Sequence, residues 1–195
     1  MPRAKAFDPE VALDRAVELF WRLGYEGASM ANLLDFMGIS RQSLYDTFGD
    51  KHHLFLAALD RYRANVHHQL ASLVAGQSTA LASVRAVFEW VNQAVLEAPE
   101  HRACLMANSA LELGQRDEEV RQRVSAHLRD VEGVFQGVLE RGQRAGELAP
   151  DRDVRALARF LTSSIHGLGV LARGGAPAPV VRDTIETTLA VLDGK

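Results

Sequence analysis

Apolar residues recur every three or four positions along nearly the whole chain, with polar residues filling the intervals, so the pattern predicts helices and offers no strand-like alternation. The first helix opens at Phe7-Asp8-Pro9, with Asp8 as cap and proline at the first helical position. Val11, Leu13, Ala16, Val17, Leu19, Phe20 and Leu23 give it a wide apolar face, and Gly24 ends it. Two short helices follow. Ser29 caps one whose apolar positions are Met30, Leu33, Leu34 and Met37, and Gly38 supplies the positive φ that stops it. Ser40 caps the other, with Ile39 and Leu44 spaced as a hydrophobic staple and Phe48 continuing the buried stripe. A long helix is predicted over 51–75, with Phe55, Leu59, Tyr62, Val66, Leu70 and Leu73 on one face. Further helices are predicted over 79–97, ending near Pro99; over 102–113, ending at Gly114; over 118–144, capped by Asp117; and over 152–173 and 179–192. The fold class is all-α, about nine helices, with no repeat and no heptad run.

The stretch 29–51 carries chemistry as well as pattern. With Leu44 and Phe48 facing inward, Arg41, Gln42, Ser43, Tyr45, Asp46 and Thr47 face outward on the second short helix. A helix-turn-helix sets the first residues of its second helix against base edges in the major groove, where Arg pairs bidentately with guanine and Gln with adenine. Arg41 and Gln42 stand in that first turn. The hydroxyls of Ser43, Tyr45 and Thr47 suit phosphate oxygens, and Lys51 follows at the start of the next helix, behind the cap Asp50. Such contacts position a protein on DNA and leave sequence choice to the base contacts.

At this point the N-terminal third resembles the DNA-binding domain of the tetracycline-repressor (TetR) family of bacterial transcriptional regulators. The resemblance rests on a helix ending in "LGYEGASM", the turn "MGIS", and "SLYDTFGDKHHLF" running into a fourth helix. Leu34 and Met37 depart from it, standing where family members often carry smaller residues. The resemblance implies a helix-turn-helix domain over 6–66, with its motif at about 29–48 and Ser29, Arg41, Gln42, Ser43, Tyr45, Thr47 and Lys51 at the DNA. It also implies a helical ligand-binding and dimerisation domain over 67–195. In proteins like this the last two helices pair with their two-fold mates. That assigns Leu157, Phe160, Leu161, Ser164, Ile165, Gly167, Leu168, Val181, Ile185, Leu189 and Leu192 to a homodimer interface, which presents two reading heads to a palindromic double-stranded operator. The middle helices are expected to surround a small-molecule effector, with Tyr62, Val66, Phe88, Trp90, Val91, Cys104, Met106, Asn108, Ser109, Val131 and Phe135 as candidate lining. The implied function is that of a repressor released from DNA by an inducer.

Charge complicates the picture. The 195-residue chain carries a formal net charge of −3, and residues 1–63 hold eight Lys or Arg against nine Asp or Glu. Any positive footprint is therefore local, formed by Arg3, Lys5, Arg41 and Lys51 with His52 and His53. That near-neutral head supports the competing reading, an all-α interaction module that does not read DNA. The start MPRAKAFDPE lacks an apolar signal segment, and no apolar run is long enough for a bilayer, so a cytoplasmic protein with no membrane partner is expected.

Catalytic motifs are missing: there is no phosphate-cradling glycine loop, no His-Glu-x-x-His pair and no nucleophile elbow. No enzyme activity, catalytic residue, cofactor or metal is expected. Cys104, the single cysteine, admits several readings. Buried, it is a small hydrophobe; near a helix start beside Arg102 its thiol is a candidate electrophile or redox sensor; with His101 it gives two ligands of an incomplete soft-metal site.

Overall fold

The computed structural model describes residues 7–96 and 104–192, and the described residues form nine α-helices. In order these are α1 (Pro9–Gly27), α2 (Met30–Met37), α3 (Arg41–Phe48), α4 (Lys51–Ala75), α5 (Ala80–Leu96), α6 (Leu105–Leu113), α7 (Glu118–Arg144), α8 (Val154–Arg173) and α9 (Ala178–Ala190). His101, Arg102, Arg3 and Lys5 lie outside the described residues. The helices gather into two compact units, one holding the chain up to Asn65 together with Leu105–Val124, the other holding Val66–Cys104 and the chain from Ser125. The chain passes from one to the other three times: inside α4, between Cys104 and Leu105 just before α6, and inside α7. That α6 and the start of α7 join the first unit is not visible from chain order.

In the first unit, α1 starts as its cap dictates: Asp8 Oδ1 accepts from the Glu10 N–H at 2.9 Å. Ala12, Ala16, Leu19 and Phe20 form its buried stripe, and Phe20 meets Phe55 of α4 edge-on at 4.9 Å. The sequence-predicted face is too wide. Val11 and Leu23 are 48% and 46% exposed, because the stripe turns away from them. Gly24 breaks regular helix with φ 73° and ψ 179°, after which the chain makes a further turn to Gly27. The break frees the N–H groups of Tyr25 and Glu26, and the Glu112 carboxylate of α6 takes both, at 2.9 and 2.7 Å. A Cβ at position 24 would stand 2.8 Å from Glu112 Oε2, so both the backbone angle and the close approach require glycine. Arg61 of α4 further clamps α1, reaching Asp14 at 2.7 Å and Glu10 at 2.8 Å.

The second unit is held by one apolar core to which α4, α5, α7, α8 and α9 all contribute, including Leu70, Val84, Phe88, Phe135, Leu139, Leu161, Leu168, Val181, Ile185 and Leu189. Asp153 caps α8, accepting from the N–H groups of Arg155 and Ala156 at 3.0 Å each. Among the described residues no helix is long and apolar enough to cross a membrane.

Candidate nucleic-acid interface

The two short helices are held by a complete set of local caps. At the start of α2, Ser29 Oγ accepts from the Asn32 N–H at 3.1 Å and the Ser29 N–H donates to Asn32 Oδ1 at 3.3 Å, a reciprocal capping box. Gly38 ends α2 in the left-handed region, φ 69° and ψ 34°, and its N–H reaches the Leu34 carbonyl at 3.0 Å. Arg15 of α1 donates to the Met37 carbonyl at 3.1 Å, fixing the end of α2 against the first helix. Ser40 Oγ then accepts from the Ser43 N–H at 3.1 Å and opens α3.

Leu44 is buried and sets the rotation of α3. Arg41, Gln42, Tyr45 and Asp46 are consequently exposed, while Ser43 and Thr47 are half-buried. Gln42 Nε2 donates to Asp46 Oδ1 at 2.7 Å, so the Gln42 amide must exchange that partner before it can pair with a base. Lys51 stands at the first position of α4 with its ammonium 4.4 Å from the centre of the Tyr25 ring, a cation–π contact. Burial, followed by the charges of Glu26, Asp50 and Asp117, raises the Tyr25 phenol above its ordinary value and keeps that ring neutral.

Any positive contribution of His52 and His53 to the footprint is offset by the carboxylates beside them. His52 Nε2 lies 2.6 Å from Asp117 Oδ2, and His53 Nδ1 lies 2.9 Å from Asp50 Oδ1, so each ring faces a carboxylate. Asp50 also accepts from the His53 N–H at 2.8 Å, which with the His53 ring holds its carboxyl below the usual range. Among the described residues, Arg41 and Lys51 remain as the cations of this face.

This geometry has relatives. The family model described as "Bacterial regulatory proteins, tetR family" matches residues 12–58, and "Tetracyclin repressor-like, C-terminal domain" matches residues 80–185. Over 194 residues, 99% of this chain and 100% of the relative, the sequence is 34% identical to the uncharacterized HTH-type transcriptional regulator YezE of Bacillus subtilis strain 168. The chain belongs to the TetR family. It is also 32% identical to the HTH-type transcriptional repressor ComR of Escherichia coli K12, over 96% of this chain and 90% of ComR. Among solved structures, a cysteine-substituted TetR-family regulator CifR complexed with 26 bp double-strand operator DNA superposes with a TM-score of 0.87 at 32% identity, covering 97% of this chain and 99% of that one. The protein is thus a TetR-family DNA-binding transcriptional regulator.

In this TetR-family chain the candidate effector residues divide between the units. Tyr62, Met106, Asn108 and Ser109 belong to the first; Tyr62 stacks edge-on with Trp21 at 5.2 Å, and Ser109 Oγ donates to the Leu105 carbonyl at 2.8 Å. Val66, Phe88, Trp90, Val91, Cys104, Val131 and Phe135 belong to the second, where Phe88, Val131 and Phe135 are fully buried in the core. A cleft of about 380 Å³ opens in the second unit among Arg129, Glu132, Gly133, Gln136, Arg155 and Arg159, none of which the apolar pattern singles out.

The expected dimer face needs a larger correction. Leu161, Leu168, Val181, Ile185, Leu189 and Leu192 are buried in the chain's own core, each at most 8% exposed. Leu157, Ser164 and Ile165 are half-buried. Of the expected residues Phe160 (42% exposed) and Gly167 do face outward on α8, where they form a stripe with Ser163, Val170 (55% exposed) and Leu171, which the expectation did not include. Period alone identifies apolar positions but not which of them face the chain's own core, and α8 carries apolar residues on both its buried and its exposed side.

Two residues that sequence reasoning passed over join Cys104 in the second unit. Its Sγ lies 3.8 Å from Nε2 of His127 on α7, 23 residues away, and His166 of α8 completes a group whose ligand atoms all lie within 4.8 Å of one another. His127 is 2% exposed; Cys104 and His166 are half-buried. The His127 and His166 rings stand 5.7 Å apart and nearly perpendicular. His166 Nδ1 donates to the Thr162 carbonyl at 2.7 Å, which places the lone pair of its neutral ring on Nε2. Burial opposes ionisation of Cys104, but hydrogen bonds and charge from His127 and His166 outweigh it and hold the thiol well below its ordinary value. Burial likewise opposes the charged form of His166, and its contacts to Cys104 and Thr162 outweigh this and raise its pKa. Nothing in the local sequence around His127 or His166 marks either residue.

Proposed function

We propose that this protein is a cytoplasmic repressor that binds a palindromic operator as a homodimer and is released by a small-molecule effector taken up in its C-terminal helices. The observation that carries the reading is the outer face of α3: a capped helix that holds Arg41 and Gln42 in solvent at its first turn, with Ser43, Tyr45, Thr47 and, at the start of α4, Lys51 as groups for phosphates. Ser29 takes a supporting part as the cap that places α2. Similarity to a regulator whose variant was captured on operator DNA supports the same role for this face.

A two-fold mate gives the second reading head, and the exposed stripe of Phe160, Ser163, Gly167, Val170 and Leu171 is the surface for it. Gly167 provides a clean test, because a Cβ added there meets nothing within 4 Å outside its own stretch of helix. Gly167→Leu should keep its helix content yet sediment as a monomer, and affinity for a selected palindromic duplex should fall sharply because only one half-site is held. A wild-type chain that sediments as a monomer at micromolar concentration, or binds one copy per palindrome, overturns the dimeric repressor. A second reading, control through the thiol of Cys104, is favoured by the two imidazoles beside it.

A further inference from the structure

We propose that Cys104, His127 and His166 bind one thiophilic d¹⁰ metal ion, zinc(II) or copper(I), and that this ion is the effector of the regulator. The second half of the proposal rests on the repressor reading above; the first half does not. One thiolate and two imidazoles are a donor set that both ions accept, completing a trigonal cuprous site or leaving a zinc ion one open position.

The geometry is close to what a metal imposes. With Zn–S at about 2.3 Å and Zn–N at about 2.0–2.1 Å, a tetrahedral ion holds its sulfur and nitrogen ligands roughly 3.6 Å apart. Cys104 Sγ and His127 Nε2 already stand at 3.8 Å, and no separation in the group exceeds 4.8 Å, so closing on an ion asks for shifts of about 1 Å or less. The orientation of His166 is the second observation. A metal-bound histidine characteristically donates its other ring N–H to a carbonyl or carboxylate, which fixes the tautomer, and the Nδ1 bond to Thr162 does this within one turn of α8. The three ligands also come from three places: the residue that precedes α6, then α7, then α8. Cys104 is joined by its peptide bond to Leu105, where the chain enters the first unit, so an ion that fixes Cys104 constrains the start of α6.

The contrast with the exposed group Asp50, His52 and His53 is instructive. Those three also lie close enough for an ion, but both rings already face carboxylates and the group is largely in water.

The experiment uses the full-length chain, reduced and stripped with a chelator. Zinc(II) is titrated against a competing chromophoric chelator, copper(I) likewise without oxygen, and cobalt(II) serves as an optical stand-in for zinc. One ion per chain is expected, with a thiolate-to-cobalt charge-transfer band and protection of Cys104 from iodoacetamide. Cys104→Ser and His166→Gln should each weaken binding by at least about 100-fold, the upper end for loss of a mere outer-shell partner. Because His127 is buried, His127→Gln is interpreted only if its circular dichroism and melting match the parent; the other two variants decide the outcome without it. Whichever ion binds more tightly against the competitors is the one the site selects. Binding that survives both variants, or an alkylation rate at Cys104 that neither ion changes, overturns the metal site, and DNA binding by the stripped chain then tests the regulator reading separately. If the ion binds through these residues but leaves affinity for a selected duplex unchanged, the effector role is overturned, since an effector must shift that affinity, typically by about 5–150-fold, and DNA must shift metal affinity by the same factor.

Discussion

On α3 Arg41, Gln42, Tyr45 and Asp46 stand in solvent within two turns of one short helix, whereas Cys104, His127 and His166 come from separate elements and meet around a buried imidazole, with the other two half-buried. Groups of the first kind keep their hydration until a ligand arrives, so each contributes nearly on its own and its removal leaves the scaffold intact. Groups of the second kind set one another's protonation, so removing one changes the state of the others. The difference teaches that a docking face can vary residue by residue, while a buried cluster is kept or lost as a unit. It also separates the exposed side chains of α3 from the buried residue directly beneath them.

The strongest test of that separation is Leu44→Ala. Leu44 is fully buried and orients every outward residue of α3, so its truncation should cost about 2–5 kcal/mol and abolish DNA binding together with stability, read by urea unfolding and duplex titration. If DNA binding were lost without any loss of stability, Leu44 would belong to the docking face rather than to its support. Next in size is Glu112→Ala. This change leaves the Tyr25 and Glu26 N–H groups without the carboxylate that closes the break at Gly24, and it should lower the stability of the first unit by roughly 1.5–3 kcal/mol. A melt unchanged within error would show that water replaces the carboxylate there.

Arg41→Ala and Gln42→Ala should each cost about 1–3 kcal/mol at the cognate duplex and broaden base preference, with no change in melting. For Gln42 the loss is measured net of its bond to Asp46. Lys51→Ala should weaken binding to all sequences alike and flatten the salt dependence by about one unit. Equal effects of all three on every duplex would erase the division between base reading and phosphate positioning.

The smallest effect expected concerns pH and Asp117, whose side chain caps α7 and accepts from His52. Burial opposes its ionisation, but the Val120 N–H and the His52 ring outweigh burial and lower its pKa. A carboxyl lowered in the folded state adds stability above its ordinary range, and that contribution fades as pH falls through the folded value. Asp117→Asn should therefore flatten the acid side of the stability curve, with the largest difference from the parent near neutral pH and little difference in strong acid. Urea midpoints measured from acid to neutral pH decide it, and parallel curves for the two proteins would remove Asp117 from the acid response.

The caps of α1 to α3 and the buried side of α3 were legible because they are local. Asp8, Ser29, Gly38 and Ser40 act on backbone groups two to four residues away, and Leu44 and Phe48 fix the outward face of α3 by helical period alone. The family followed from those same residues, and α7 was bounded by its cap Asp117 and its charge pattern. Tertiary structure alone decided three other matters. Val181, Ile185, Leu189 and Leu192 have the period of a face, yet only the placement of their neighbours shows that face turned into the chain's own core. Glu112 reads as an ordinary surface charge until α6 brings it to the break in α1. The partners of Cys104 lie far along the chain on α7 and α8, each unremarkable in its own helix. Hydrogen bonds and side-chain period act over a few residues and are written in order along the chain. The meeting of a thiol with two imidazoles depends on how whole helices cross, which is fixed by the sum of many packing contacts rather than by any neighbouring residue.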